Sequence, residues 1–145
     1  MRAVIQRVKR AELSVGGSLV SAIGDGLAVY LGVAPEDGQK NAEAMAKKVA
    51  QLRIFEDDGG KMNRSVLDVG GEVLLISQFT LFGDCSHGNR PNFTGAARPE
   101  HAEPLYAYAA QCLRAHGVPV RTGVFGADMK IEQCNDGPVT ILYEC

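Results

Sequence analysis

"EVLLISQFTLF", Glu72 to Phe82, is the stretch on which the fold turns. Val73, Leu74, Leu75 and Ile76 are consecutive and apolar, so no polar face is left. A strand half-open to water alternates apolar and polar residues. One without alternation is covered on both sides, as in the inner strands of layered α/β proteins. The run turns polar at Ser77 and Gln78, and Phe79 and Thr80 follow. The next segment, "GDCSHGNRPNFTGAA", predicts a long loop. Strand ends that open into loops commonly build sites in α/β sheets. One short stretch thus carries an architectural and a functional expectation.

Outward from it, "GLAVYLGVA" (Gly26 to Ala34) is a second short apolar run and predicts another buried strand. "MRAVIQRVKRAELSV" reads as a strand, a turn and another strand, with Gly16-Gly17 as the turn beyond. In "NAEAMAKKVAQLRIF", Ala42, Met45, Ala46, Val49 and Leu52 recur at helical steps. "EDDGGKMNRSVLDVGG" has too few spaced apolar residues for a regular element and reads as a long loop. "RPEHAEPLYAYAAQCLRAHG" predicts a second helix. Its buried stripe is Ala102, Leu105, Tyr106, Ala109 and Leu113, with Pro99 in the first turn and Gly117 at the C-terminal cap. Pro104 is expected to bend it near its start. Two final strands are expected around "MKIEQC" and "VTILYE", with "NDGP" (Asn135 to Pro138) as the turn between them. The sum is one α/β domain over residues 1–145, with two helices on one side of the sheet. A second strand layer or a partner subunit covers the other side.

Composition narrows the function. The net charge is -2, so no global basic field draws in DNA, and any RNA contact must be local. "MRAVIQRVKR" does not read as a signal peptide, and no apolar run approaches the ~20 residues of a membrane helix. A cytoplasmic protein is expected, with no membrane contact. Cys85, Cys112, Cys134 and Cys145 form no C-x-x-C pair, and reduced thiols fit better than disulfides. Cys85 and His87 alone do not make a zinc site, so no metal and no cofactor is expected.

The candidate chemistry lies at Ser77, Gln78 and Thr80. A hydroxyl nucleophile needs a base, and His87 is the one histidine near in sequence. The other reading is a strand end satisfying its own backbone. "HGNRPNF" could bind phosphate through Arg90 and stack a base on Phe93, or could be plain surface. Lys40, Lys47, Lys48, Lys61 and Arg64 form a basic cluster or ordinary solvated charge. Read locally, Gly137-Pro138 is a turn.

Taken together, "MRAVIQRV", "LRIFED", "GKMN", "SQFTLFGD", "GNRPNF", "AARPEHAEPLY", "TGVFGADM" and "NDGPVTI" resemble the D-aminoacyl-tRNA deacylase family over the full length. The resemblance implies a three-layer α/β/β fold and a homodimer. The site then lies at the subunit interface, with "SQFTL" of one subunit facing "NDGP" of the other. It implies a pocket formed by Ser77, Gln78, Phe79 and Thr80 with Phe125 and Met129. A cis Gly137-Pro138 bond, braced by Arg7, is implied to read the chirality of the amino acid. Implied too is hydrolysis of D-aminoacyl-tRNA, and of glycine mischarged onto alanine tRNA, with tRNA as the partner. Backbone N–H groups near Phe79 and Thr80 would hold the oxyanion, and a ribose 2′-OH would assist. Attack by water fits this better than attack by Thr80. A Ser/Thr esterase using Thr80 and His87, or a tRNA-binding dimer without catalysis, are the alternatives. The chain departs from the family pattern at Gly83 and at Cys85-Ser86-His87, which touches the RNA-end contact. Ser77-Gln78-Phe79 is the signature of the D-specific branch.

Overall fold

The computed structural model describes all residues, Met1–Cys145. Strand β1 (Arg2–Val15) is the organising element. The expected turn inside it does not exist: it is one strand of 14 residues whose pairing shifts twice, around Val8. It turns at Gly16-Gly17, both with positive φ, into β2 (Ser18–Ile23). Strand β3 (Gly26–Gly32) then returns along the first half of β1, while β2 pairs with the second half. The whole opposite edge of β1 is taken by β8 (Met129–Glu144). Strand β6 (Glu72–Ser77) lies parallel to β3, and β7 (Val120–Thr122) lies parallel to β6. The sheet is therefore mixed.

The unbroken apolar run has its predicted meaning. Val73 and Leu75 face one core, and Leu74 and Ile76 face another. Leu27, Val29 and Ala28 divide in the same way on β3. The first core is closed by helix α1 (Gln39–Gln51) and helix α2 (Pro99–Ala115), packed against each other. The second is closed by the far halves of β1, β2 and β8 folding back over β3 and β6, through Ala11, Leu13 and Ile23. This gives helices on one face and strands on the other, as expected. Burying each large aliphatic side chain here contributes about 1.5–3 kcal/mol.

Several boundaries differ from the sequence expectation. Helix α1 stops at Gln51, because Leu52 takes an extended conformation and the buried Ile54 and Phe55 continue as chain beneath the core. Phe55–Glu56 (β4) and Met62–Arg64 (β5) form a small hairpin where a loop was expected. Its turn is organised by the Asp57 carboxylate, which accepts from the Gly59 and Lys61 N–H groups and from the Asn63 amide. Those bonds hold its pKa below the usual carboxylate range. Helix α2 runs through Pro104 without ending, and Gly117, at φ 89°, follows its C-terminus. All four cysteines are free thiols. No helix is long and apolar enough to cross a membrane.

The largest correction concerns "NDGP". It does not separate two strands; it is an excursion within β8. Gln6 pairs with Thr140 and Val8 with Asn135. Two steps along β1 therefore face five along β8, and three extra residues leave the ladder. This is an enlarged β-bulge.

Candidate active site

Strand β6 ends at Ser77. Gln78 leaves the sheet while still donating its N–H to the Leu31 carbonyl at 2.8 Å. The chain then winds into a single 3-10 turn, Phe79–Phe82. Phe82 lies on Gly32, where a Cβ would sit 2.9 Å from its ring, so a side chain at Gly32 would push the turn outward. Arg2 pins the turn from the other side. Its Nη1 donates to the Leu81 carbonyl at 2.6 Å, and its guanidinium lies 4.8 Å from the centre of the Phe82 ring. Neither Arg2 nor Gly32 carries a sequence signal that marks it as part of a site.

The turn borders a cavity of about 970 Å³. Its floor is Leu31 and Ile76, and the start of α2 forms one wall. Ser77, Gln78, Phe79, Phe125 and Met129 all line it, so five of the expected site residues come together. Thr80 sits just beyond the lining. Phe79 is 57% exposed and meets Phe93 edge-to-face at 5.2 Å, so Phe93 stacks within the protein. Tyr106, which the sequence marks only as core, also reaches this cavity. Its hydroxyl donates to the Leu75 carbonyl at 2.7 Å, and burial pushes the phenol up to about 12. The size and the apolar lining with a few polar groups suit a small organic moiety.

The polar groups suit oxyanion binding better than nucleophilic attack. The Thr80 hydroxyl accepts a hydrogen bond from the Gln78 amide and has no other side-chain partner. A donor on its oxygen lowers its nucleophilicity, and His87 makes no hydrogen bond to it. The N–H groups of Phe79 and Thr80 open the 3-10 turn and have no partner among the loop and side-chain hydrogen bonds.

Gly137, Pro138 and Arg7 lie elsewhere. None of them lines the cavity. Met129 and Gly137 are separated by eight steps of extended chain, up to ~26 Å. The Gly137–Pro138 peptide bond is cis, and both residues are exposed at the crest of the bulge. Gly137 has φ 120°, and a Cβ there would sit 2.9 Å from the Val139 side chain, so glycine is required twice over. Arg7 braces the bulge from below. Its Nε donates to the Asp136 carbonyl at 3.2 Å, and its Nη1 to the Ile54 carbonyl at 2.7 Å.

A model of the D-Tyr-tRNA(Tyr) deacylase family matches residues 4–144. The chain belongs to that family. It is 60% identical to the D-aminoacyl-tRNA deacylase of Deinococcus radiodurans over 144 residues, covering 99% of both chains. It is 57% identical to that of Thermus aquaticus, covering 99% of this chain and 95% of the relative. Among solved structures, one described as c-Myc DNA Unwinding Element Binding Protein superposes with a TM-score of 0.93 at 45% identity, covering 100% of this chain and 99% of that one. A probable eukaryotic D-amino acid tRNA deacylase superposes with a TM-score of 0.86 at 17% identity, covering 98% and 97%, which speaks for the fold alone. This deacylase-family chain is thus an enzyme of the hydrolase class by descent.

The remaining expected features are surface. His87 and Arg90 are exposed on the loop beyond the turn. Lys40, Lys47, Lys48, Lys61 and Arg64 are exposed, and two are already engaged: Lys48 over the Tyr143 ring at 5.3 Å and Arg64 beside Asp58 at 3.8 Å.

Proposed function

We propose that the protein hydrolyses the ester joining a D-amino acid to the 3′ end of tRNA and spares the L-aminoacyl ester. The observation that carries this is the arrangement at the end of β6: a family-specific Ser77-Gln78-Phe79 wall, unpaired N–H groups at Phe79 and Thr80, and no base on Thr80. An aminoacyl ester is already labile beside its ammonium group. Two N–H donors that bind the developing oxyanion, in a site partly shielded from water, supply the main assistance. Water is the nucleophile, and the substrate's own 2′-OH helps to move its proton.

The amino acid is read by Gly137 and Pro138 of a second copy. Their exposed crest and their distance from the cavity of their own chain support a site completed in trans within a homodimer. Backbone carbonyls that bond the α-ammonium leave no room where an L side chain would project, whereas any D side chain is left free. Glycine has nothing to reject, so glycyl-tRNA is a substrate too. The setting is cytoplasmic, where the four thiols stay reduced.

The decisive experiment compares release of tyrosine from D-Tyr-tRNA and L-Tyr-tRNA. Cleavage of the D ester alone is expected. Equal cleavage of both, or of neither, would overturn the reading. Sedimentation at assay concentration should show a dimer; a fully active monomer would contradict the site in trans.

A further inference from the structure

The bulge that carries Gly137 and Pro138 has left the sheet, so sheet hydrogen bonds cannot fix its shape. What fixes it lies underneath. The Arg7 side chain is only 7% exposed, and a guanidinium so far from water needs an anionic partner. Two carboxylates are near. Glu56 stands 4.0 Å from Nη2 and is 60% exposed. Asp136 stands 3.1 Å from Nε and is 33% exposed, so it is the closer and drier of the two. Asp136 meets Arg7 twice, through its carboxylate and through its own carbonyl at 3.2 Å. Its carboxylate also faces Lys9 at 3.6 Å, and Lys9 in turn reaches Asp25 at 3.2 Å on the β2–β3 turn. Arg7, Asp136, Lys9 and Asp25 thus form a row of alternating charge. With Glu56 they line most of a groove of about 400 Å³ behind the bulge.

We propose that Asp136 is a positioning residue for chiral selection. It is the residue immediately before Gly137, so its carboxylate fixes the backbone from which the selecting carbonyls project. Arg7 locks that carboxylate from below and Lys9 restrains it from the side. Asp136 touches no substrate; it sets where Gly137 and Pro138 stand. Without it, Arg7 holds the segment by one carbonyl alone and the excursion gains freedom. This inference rests on the deacylase reading above.

The test is the ratio of kcat/KM for D-Tyr-tRNA to that for L-Tyr-tRNA, in the intact full-length protein and its variants. A variant that is merely less stable lowers both rates together and leaves the ratio alone. Asp136→Ala is expected to lower the ratio by about tenfold or more. Asp136→Asn, which keeps the shape and a polar oxygen beside Arg7 but loses the charge, is expected to lower it less, and Asp136→Glu to restore most of it. Lys9→Met is expected to lower it about twofold. Should the alanine variant fail to fold, the Asn and Lys9 variants carry the measurement. A wild-type ratio in the Asn and Lys9 variants, and in the alanine variant where it folds, overturns the proposal even if absolute rates drop. Failure of the unaltered protein to discriminate overturns the deacylase reading instead.

Discussion

The "SQFTL" corner and the "NDGP" bulge are supported by different physics. The corner leans mainly on apolar contact, with Leu31 and Ile76 beneath it, Phe82 on Gly32 and Phe79 against Phe93, and Arg2 is its one charged brace. The bulge leans on charge: Arg7 below, Asp136 within, Lys9 beside. Packing is short-ranged and acts over many atoms at once, so it sets the position of a whole cavity wall. A charge pair under a backbone excursion fixes one point and leaves the crest exposed, which suits the proposed entry of this segment into a second copy's cavity. A pocket wall and an exposed bulge need different things, and the chain meets the two needs with different materials.

Arg7→Leu attacks this contrast most directly and should have the largest effect. It leaves Asp136 with only the exposed Lys9 and the Ile54 carbonyl without its donor, and should lower stability by about 3 kcal/mol, read by denaturant unfolding. A loss under about 1 kcal/mol would mean that packing, not charge, holds the bulge. Gly32→Val tests the other side. Its side chain meets the Phe82 ring and the Gln78 carbonyl, so about 2 kcal/mol of overpacking strain is expected. Deacylation should fall with it, since the 3-10 turn moves.

Tyr106→Phe is milder. It removes one buried hydrogen bond, about 1 kcal/mol at neutral pH. The variant also has a pH signature. Tyr106 keeps its proton in the fold up to about 12, whereas an unfolded tyrosine loses it near 10.0. Between those values the unfolded chain binds fewer protons than the folded one. Stability therefore falls as pH rises from 10 toward 12, and the variant should show a shallower decline. Thr80→Ala should have the smallest effect, lowering kcat by less than about tenfold in single-turnover deacylation. A loss near 10⁴-fold or more would make Thr80 a nucleophile and overturn water attack.

Much of this was legible in sequence. Four apolar residues in a row at Val73–Ile76 sufficed for a strand between two cores, and the spacing of Ala42, Met45 and Val49 sufficed for a helix. Both are local patterns read by burial. What misled was long-range. The bulge in β8 looked like a turn because Gly and Pro serve both, and only the pairing of Gln6 and Val8 with distant residues distinguishes them. The β4–β5 hairpin is likewise made by the Asp57 side chain rather than by apolar spacing. At the site, the resemblance supplied Arg7 and Pro138; spacing alone supplied neither. Arg2 and Gly32 carry no signal because each acts on a backbone segment far away in sequence, and Asp136 is an unremarkable carboxylate until its contact with Arg7 is seen.

The row of alternating charge behind the bulge bears on fidelity in solutions of different ionic strength. Lys9 and Asp25 are more than half exposed, so added electrolyte weakens their hold on Asp136, while the drier Arg7 contact persists. The apolar contacts of the cavity wall are indifferent to electrolyte. Weaker tRNA association lowers the rates on both enantiomeric esters and cancels in their ratio. Rising ionic strength should therefore erode selectivity through Lys9 alone. On the proposed mechanism, discrimination and turnover should then have separate sensitivities to the medium.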